Sequence, residues 1–158
     1  MSRRTNRTAA RHVTFVPRGL TLTRKVAIAA AVVAIFAAVE WSVYRDHVVH
    51  GHLVGGTQAL AELRTRMEQY RADHSTYLTA DSRIASPCDA PGTAGTFTLA
   101  CPTLSQASYQ LAATGSGPTA GFVYTTDSQG NRNTIRVADG WGDAAPYACW
   151  ITRRDDSC

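Results

Sequence analysis

Four cysteines, Cys88, Cys101, Cys149 and Cys158, carry the most definite chemistry in this 158-residue chain. All four follow an apolar run near the N-terminus, and an even number of thiols in an exported segment argues for disulfides. Four cysteines allow three pairings. Cys88–Cys101 with Cys149–Cys158 is favoured, since both close short loops near strand-forming runs, and each bond would contribute roughly 2–4 kcal/mol. Zinc needs tighter pairs such as C-x-x-C, which these spacings do not give, so no metal is expected.

Histidines offer less. His47 and His50 can share a helix face, with His52 nearby, but no third strong ligand is evident and a solvated face accounts for them. Asp73, His74 and Ser75 have the residue types of a nucleophilic triad. Consecutive residues point in different directions, however, and a triad needs groups that converge. With no phosphate-cradling glycine loop and no usable carboxylate pair, the chain does not read as an enzyme, and no cofactor is expected.

Arginines near the C-terminus form the third group. Arg132 and Arg136 flank a hairpin signal, and Trp150 precedes Arg153 and Arg154. Aromatic and guanidinium groups together can hold DNA by stacking and phosphate contact. Asp155 and Asp156 directly offset Arg153 and Arg154, so a solvated hairpin and C-terminal loop is the plainer reading. Net charge does not favour a nucleic-acid partner. The formal charge is +4, but five of the sixteen basic residues precede Gly19 and no acid does. From Leu20 onward there are eleven basic and twelve acidic residues; beyond Tyr44, nine and eleven. The basic excess belongs to topology rather than to a ligand surface.

These groups depend on a helix and a set of strands to position them. Val26 to Val39 is apolar without interruption; Glu40 breaks it, and Trp41, Val43 and Tyr44 extend it. Fourteen residues fall short of the roughly 20 that cross a bilayer, whereas nineteen, counted to Tyr44, suffice if Glu40 reaches the interface. The arginines that precede it and the aromatic end fit a single membrane span with its N-terminus in the cytoplasm. A cleaved secretion signal is the alternative, although no clean A-x-A site ends the run. Leu60, Leu63, Met67 and Tyr70 then make an apolar helical stripe, with Glu62–Arg66 as an i,i+4 pair. Gly51, Gly55 and Gly56 predict a bend or melted turn ahead of it.

After Ala80 the pattern becomes short alternating runs: TFTLA, SYQLAAT, GFVYTTD, NTIRVAD and YACWITR each suit a strand. DSQGNR, Asp127 to Arg132, is a hairpin turn with Gly130 suited to positive φ. The expected architecture is α+β: a helix over 45–73, its stripe packed on a small antiparallel sheet over about 96–154.

RGLTLTRKVAIAAAVV resembles the N-terminal motif of type IV pilins and pseudopilins. In that family a basic leader ends in glycine, and a prepilin peptidase cuts there and methylates the new N-terminus. LAELRTRMEQYRADHSTYL, Leu60 to Leu78, is similar to the second half of the pilin helix, and YACWITRRDDSC to the end of small minor pilins. The resemblance implies a leader over 1–19 ending at Gly19, Leu20 as the methylated residue, a membrane and assembly helix over 20–44, and an exported pilin domain over 45–158 with a C-terminal disulfide loop. It implies a minor subunit that assembles into or primes a filament, for motility, adhesion or DNA uptake. A type II secretion pseudopilin and a DNA-binding receptor for natural transformation are the alternatives. The implied partners are other pilins, the peptidase and the assembly machinery of a bacterial inner membrane, with the domain then in an extracellular or periplasmic filament. Where the family has a glutamate five residues after the cut, this chain has Arg24, followed by Lys25. A buried ammonium needs a counter-charge. The subunit is therefore expected to enter filaments sparsely, with Glu40 of a staggered neighbour as the first counter-charge to examine.

Overall fold

The computed structural model describes residues 20–81, 83–142, 145–156 and 158. The expected leader and Gly19 lie outside the described residues, as do the side chains of Leu20, Lys25 and Glu40. One helix, α1, runs Leu20–His74, and the chain divides into two units, Met1–Ser42 and Val43–Cys158.

In the first unit Arg24 and the described side chains from Val26 to Phe36 are exposed. Among the described residues no helix is long and apolar enough to cross a membrane. The membrane span expected over 20–44 is not found among the described residues, which leave out the side chains of Lys25 and of 37–43.

The second unit carries the core. Leu60, Leu63 and Met67 are fully buried and Tyr70 nearly so, as the stripe predicts; Leu53 joins them about two turns earlier. The helix closes at Ser75, which takes the left-handed conformation with φ 59° while its N–H reaches the Arg71 carbonyl at 2.7 Å. The melted turn expected at the three glycines does not occur: α1 is helical throughout. Tertiary packing overrides the propensity. Gly56 is buried directly against Phe97 of the sheet, so its missing side chain admits the ring rather than loosening the helix. The one ion pair among the described residues joins Arg154 and Asp46, not Glu62 and Arg66.

Five strands form an antiparallel meander in chain order: β1 (Thr93–Ala94), β2 (Phe97–Leu104), β3 (Tyr109–Gly115), β4 (Val123–Asp127) and β5 (Arg132–Arg136). Inward residues alternate as period two requires: Phe97 and Leu99, then Tyr109, Leu111 and Ala113, then Tyr124. These pack with the helix stripe, Tyr77, Phe122 and Trp141 into one core. Four of the five expected strands are present. Gly130 turns the β4–β5 hairpin with φ 86°. Thr93–Ala94 was not foreseen, being too short for a pattern.

YACWITR is the exception, and the sheet ends at Arg136 rather than near 154. Only Tyr147 meets β5, exchanging two backbone hydrogen bonds with Thr134 at 3.0 and 2.9 Å. Beyond it the segment is held by side chains. Thr134 Oγ1 donates to the Cys149 carbonyl at 2.7 Å and accepts from the Ile151 N–H at 2.9 Å. The Trp150 indole donates to the Thr125 carbonyl at 3.0 Å, and the buried Tyr124 hydroxyl to the Ile151 carbonyl at 2.6 Å. These bonds satisfy the backbone at Cys149 and Ile151 without a ladder. Both disulfides close as favoured, Cys88–Cys101 and Cys149–Cys158, spanning 13 and 9 residues.

Candidate nucleic-acid interface

The hairpin tip is built by Asp127. Its carboxylate accepts from the Gln129 and Asn131 backbone N–H groups at 2.9 and 3.0 Å, and from the Asn131 side-chain amide at 2.7 Å. Partial burial works to raise its pKa, but these donors outweigh it and hold the group below the usual carboxylate range. The turn places Arg132 at the start of β5, paired with Thr126.

Arg132 is exposed, and its guanidinium lies over the Trp150 ring, 4.9 Å from the centroid. Trp150 is half-buried, packed on the core through one face and tied through its indole N–H. It is thus no free stacking platform, as the sequence suggested; its ring supports Arg132. A groove of about 560 Å³ runs between the hairpin tip and the disulfide loop, lined by Asp127, Asn131, Arg132, Asn133, Ala148 and Cys149 among others.

Arg136 is exposed and donates through Nε to the Gly121 carbonyl at 3.3 Å. Arg153 is exposed as well. Arg154 is committed elsewhere: it pairs with Asp46 at 3.1 Å, donates to the Gly140 carbonyl at 3.0 Å, and lies over Trp141 at 5.3 Å. Nearby, His50 Nδ1 meets the Thr152 carbonyl at 2.8 Å. The histidine expected on a solvated face thus clamps the C-terminal segment to the helix. Among the described residues no group of three or more His, Cys, Asp or Glu side chains could hold a metal.

The sequence set Asp155 and Asp156 against Arg153 and Arg154; the fold uses Asp156 differently. Its carboxylate accepts from the Thr152 and Arg153 backbone N–H groups, both at 2.8 Å, and from the Thr152 hydroxyl at 3.2 Å. Burial opposes ionisation there, yet these bonds and, last, the Arg153 charge leave its pKa lowered. Burial, and then the Asp156 charge, push the Tyr124 phenol well above its ordinary value, so it stays a donor. Arg132, Arg136 and Arg153 are thus all exposed, with Arg132 and Arg136 at the two ends of β5 and Arg153 on the C-terminal segment, while Arg154 is paired with Asp46 of the helix.

Sequence reasoning missed Asp46, Thr125, Thr134 and Trp141. The spacing of Asp127 and Asn131 was a readable turn signal. Asp46 gave none, since its partner lies 108 residues away.

A family model described as type IV minor pilin ComP, DNA uptake sequence receptor, matches residues 42–123, which is 82 of the 158 residues. The match spans the helix from Ser42 through the first residue of β4, and the arginines of the groove lie beyond it. No curated protein and no solved structure matches the chain.

Proposed function

The chain belongs to the type IV minor pilin family, and from that membership we propose that it is a minor pilus subunit that binds DNA during uptake. The carrying observation is the set of exposed arginines Arg132, Arg136 and Arg153, in a domain whose net charge is slightly negative with them included. Phosphate contacts of this kind supply affinity, and base contacts supply sequence preference.

Assembly is the other half of the proposal. The leader ends at Gly19, Leu20 becomes the N-terminus, and the 20–44 segment lies first in the inner membrane and then in a bundle of like helices. Support comes from the exposed apolar side chains Val26, Ile28, Val33, Ile35 and Phe36, which need cover from lipid or neighbouring helices.

The test uses the full oxidised chain in detergent with duplex DNA in gel-shift titrations at several salt concentrations. Binding that weakens as salt rises supports the reading. Failure to bind any duplex at low salt, with the protein recovered in filaments, would remove the DNA role and leave a structural pilin or a secretion pseudopilin.

A further inference from the structure

The side chains around the hairpin groove differ from those of a simple phosphate site. Lysines are absent beyond Lys25, so every cation here is a guanidinium with a planar fork of donors. Arg132 differs from its neighbours in being backed by a ring. The Trp150 indole is fixed by its bond to the Thr125 carbonyl, so the guanidinium above it rests on a fixed support and loses less freedom on binding. Among the described residues Arg136 and Arg153 have no such ring behind them.

Asp127 decides what the groove can accept. Its carboxylate sits in the groove wall, held ionised by the turn. A phosphate entering the groove would meet that charge. A base edge carries no net charge to be repelled there, and could use the amides of Asn131 and Asn133 in the same wall. A flat guanidinium presented beside such a wall matches the O6 and N7 acceptors of guanine in the major groove.

We propose that the groove between the β4–β5 hairpin tip and the Cys149–Cys158 loop reads a guanine edge of duplex DNA, with Arg132 stacked on Trp150 as the reading group and Trp150 as its positioning residue. Arg136 and Arg153 then contact phosphates outside the groove. This rests on the DNA-binding reading above and adds to it which residue discriminates and which base it selects.

The experiment is selection from a randomised duplex library with the full oxidised chain, followed by replacement of each selected guanine with 7-deazaguanine, which lacks N7. The wild-type chain should lose roughly tenfold or more in affinity at one position. Arg132→Ala should bind with reduced preference and show no further loss on that replacement. Arg132→Lys should keep charge but not the preference. Trp150→Phe should retain much of the 7-deaza sensitivity, and Trp150→Ala should lose it while keeping its salt dependence. Because Trp150→Ala could disturb the loop, its disulfide pattern is checked by mass spectrometry, and the Arg132 variants decide the matter without it. If Arg132→Ala selects the same sequence as the wild type with the same 7-deaza loss, the inference fails while DNA binding stands. If Arg132→Ala lowers the salt slope and no guanine is N7-sensitive, Arg132 is a phosphate contact and the inference is again overturned. A wild-type chain that binds no duplex sinks both readings.

Discussion

Gly56 lies so close to the ring of Phe97 that a Cβ placed on it would come within 2.5 Å of Cδ2. Alanine at that position would gain about 1 kcal/mol of helix propensity, but forcing the ring aside costs roughly 1–3 kcal/mol. Gly56→Ala is therefore expected to lower stability, whereas Gly51→Ala and Gly55→Ala, with nothing within 4 Å, should each raise it by up to about 1 kcal/mol. Urea unfolding of the three variants checks the opposite signs. Equal effects would show that helix propensity alone governs this stretch.

Processing is expected to leave Leu20 as the first residue. N-terminal sequencing of membrane-extracted protein tests this. A start near Ala38 would indicate an ordinary secretion signal, and an intact Met1 a permanent anchor. Arg24→Glu should raise incorporation relative to the other pilins, since a carboxylate there can pair with a neighbour's amine in the bundle. Filaments made mainly of the unmodified protein would contradict sparse entry.

Acid should loosen the groove before it unfolds the core. Asp127 and Asp156 both have pKa values lowered in the folded state by hydrogen bonds that burial only partly opposes. A carboxyl of this kind contributes stability that is complete above its unfolded value near 4 and is lost as the pH falls through the lower folded value. Amide protection at Asn131 and Arg153, relative to the intrinsic exchange rate at each pH, should fall from about pH 4 downward. Asp156→Asn should abolish that pH dependence at Arg153 and leave Asn131 unchanged. A flat profile for the wild type would mean that the carboxylates do not hold these turns.

Salt dependence separates the arginines. Arg136→Ala and Arg153→Ala should each weaken binding to any duplex similarly and reduce the slope of log affinity against log salt by about 1. Arg154→Ala should change the slope little, as its charge is paired with Asp46. A large slope change for Arg154→Ala would show that the Asp46 pair opens on binding.

The helix stripe, four strands and the hairpin turn were legible because each follows from local periodicity or one turn residue. Leu60, Leu63 and Met67 are buried since spacing dictates it. Gly56 misled for the same reason that it matters: local propensity sees a weak helix residue, and only the sheet reveals what it approaches. YACWITR reads as a strand because its apolar residues do enter the core at Ile151 and Trp150. What the alternation could not convey is that Thr134, Thr125 and Tyr124 would bind its backbone from the side. The groove was half legible: its arginines and tryptophan stood out, but the pairing of Arg132 with Trp150, the commitment of Arg154 and the turning of Asp156 toward the backbone are contacts across chain distances that no spacing encodes.

A meander pairs each strand with its neighbour in the chain, so the main ladders close over short connections. The C-terminal segment is the opposite case, meeting the helix at His50 and Asp46 across 102 and 108 residues. Loop-closure entropy therefore places its docking after the sheet has formed, in order of contact separation. The groove wall made by Ala148 and Cys149 is consequently the last part of the domain to be completed. Until this segment has docked and Cys149 has joined Cys158, a domain already folded in its sheet has one wall of the groove only. Docking of the segment and assembly of the groove become the same event.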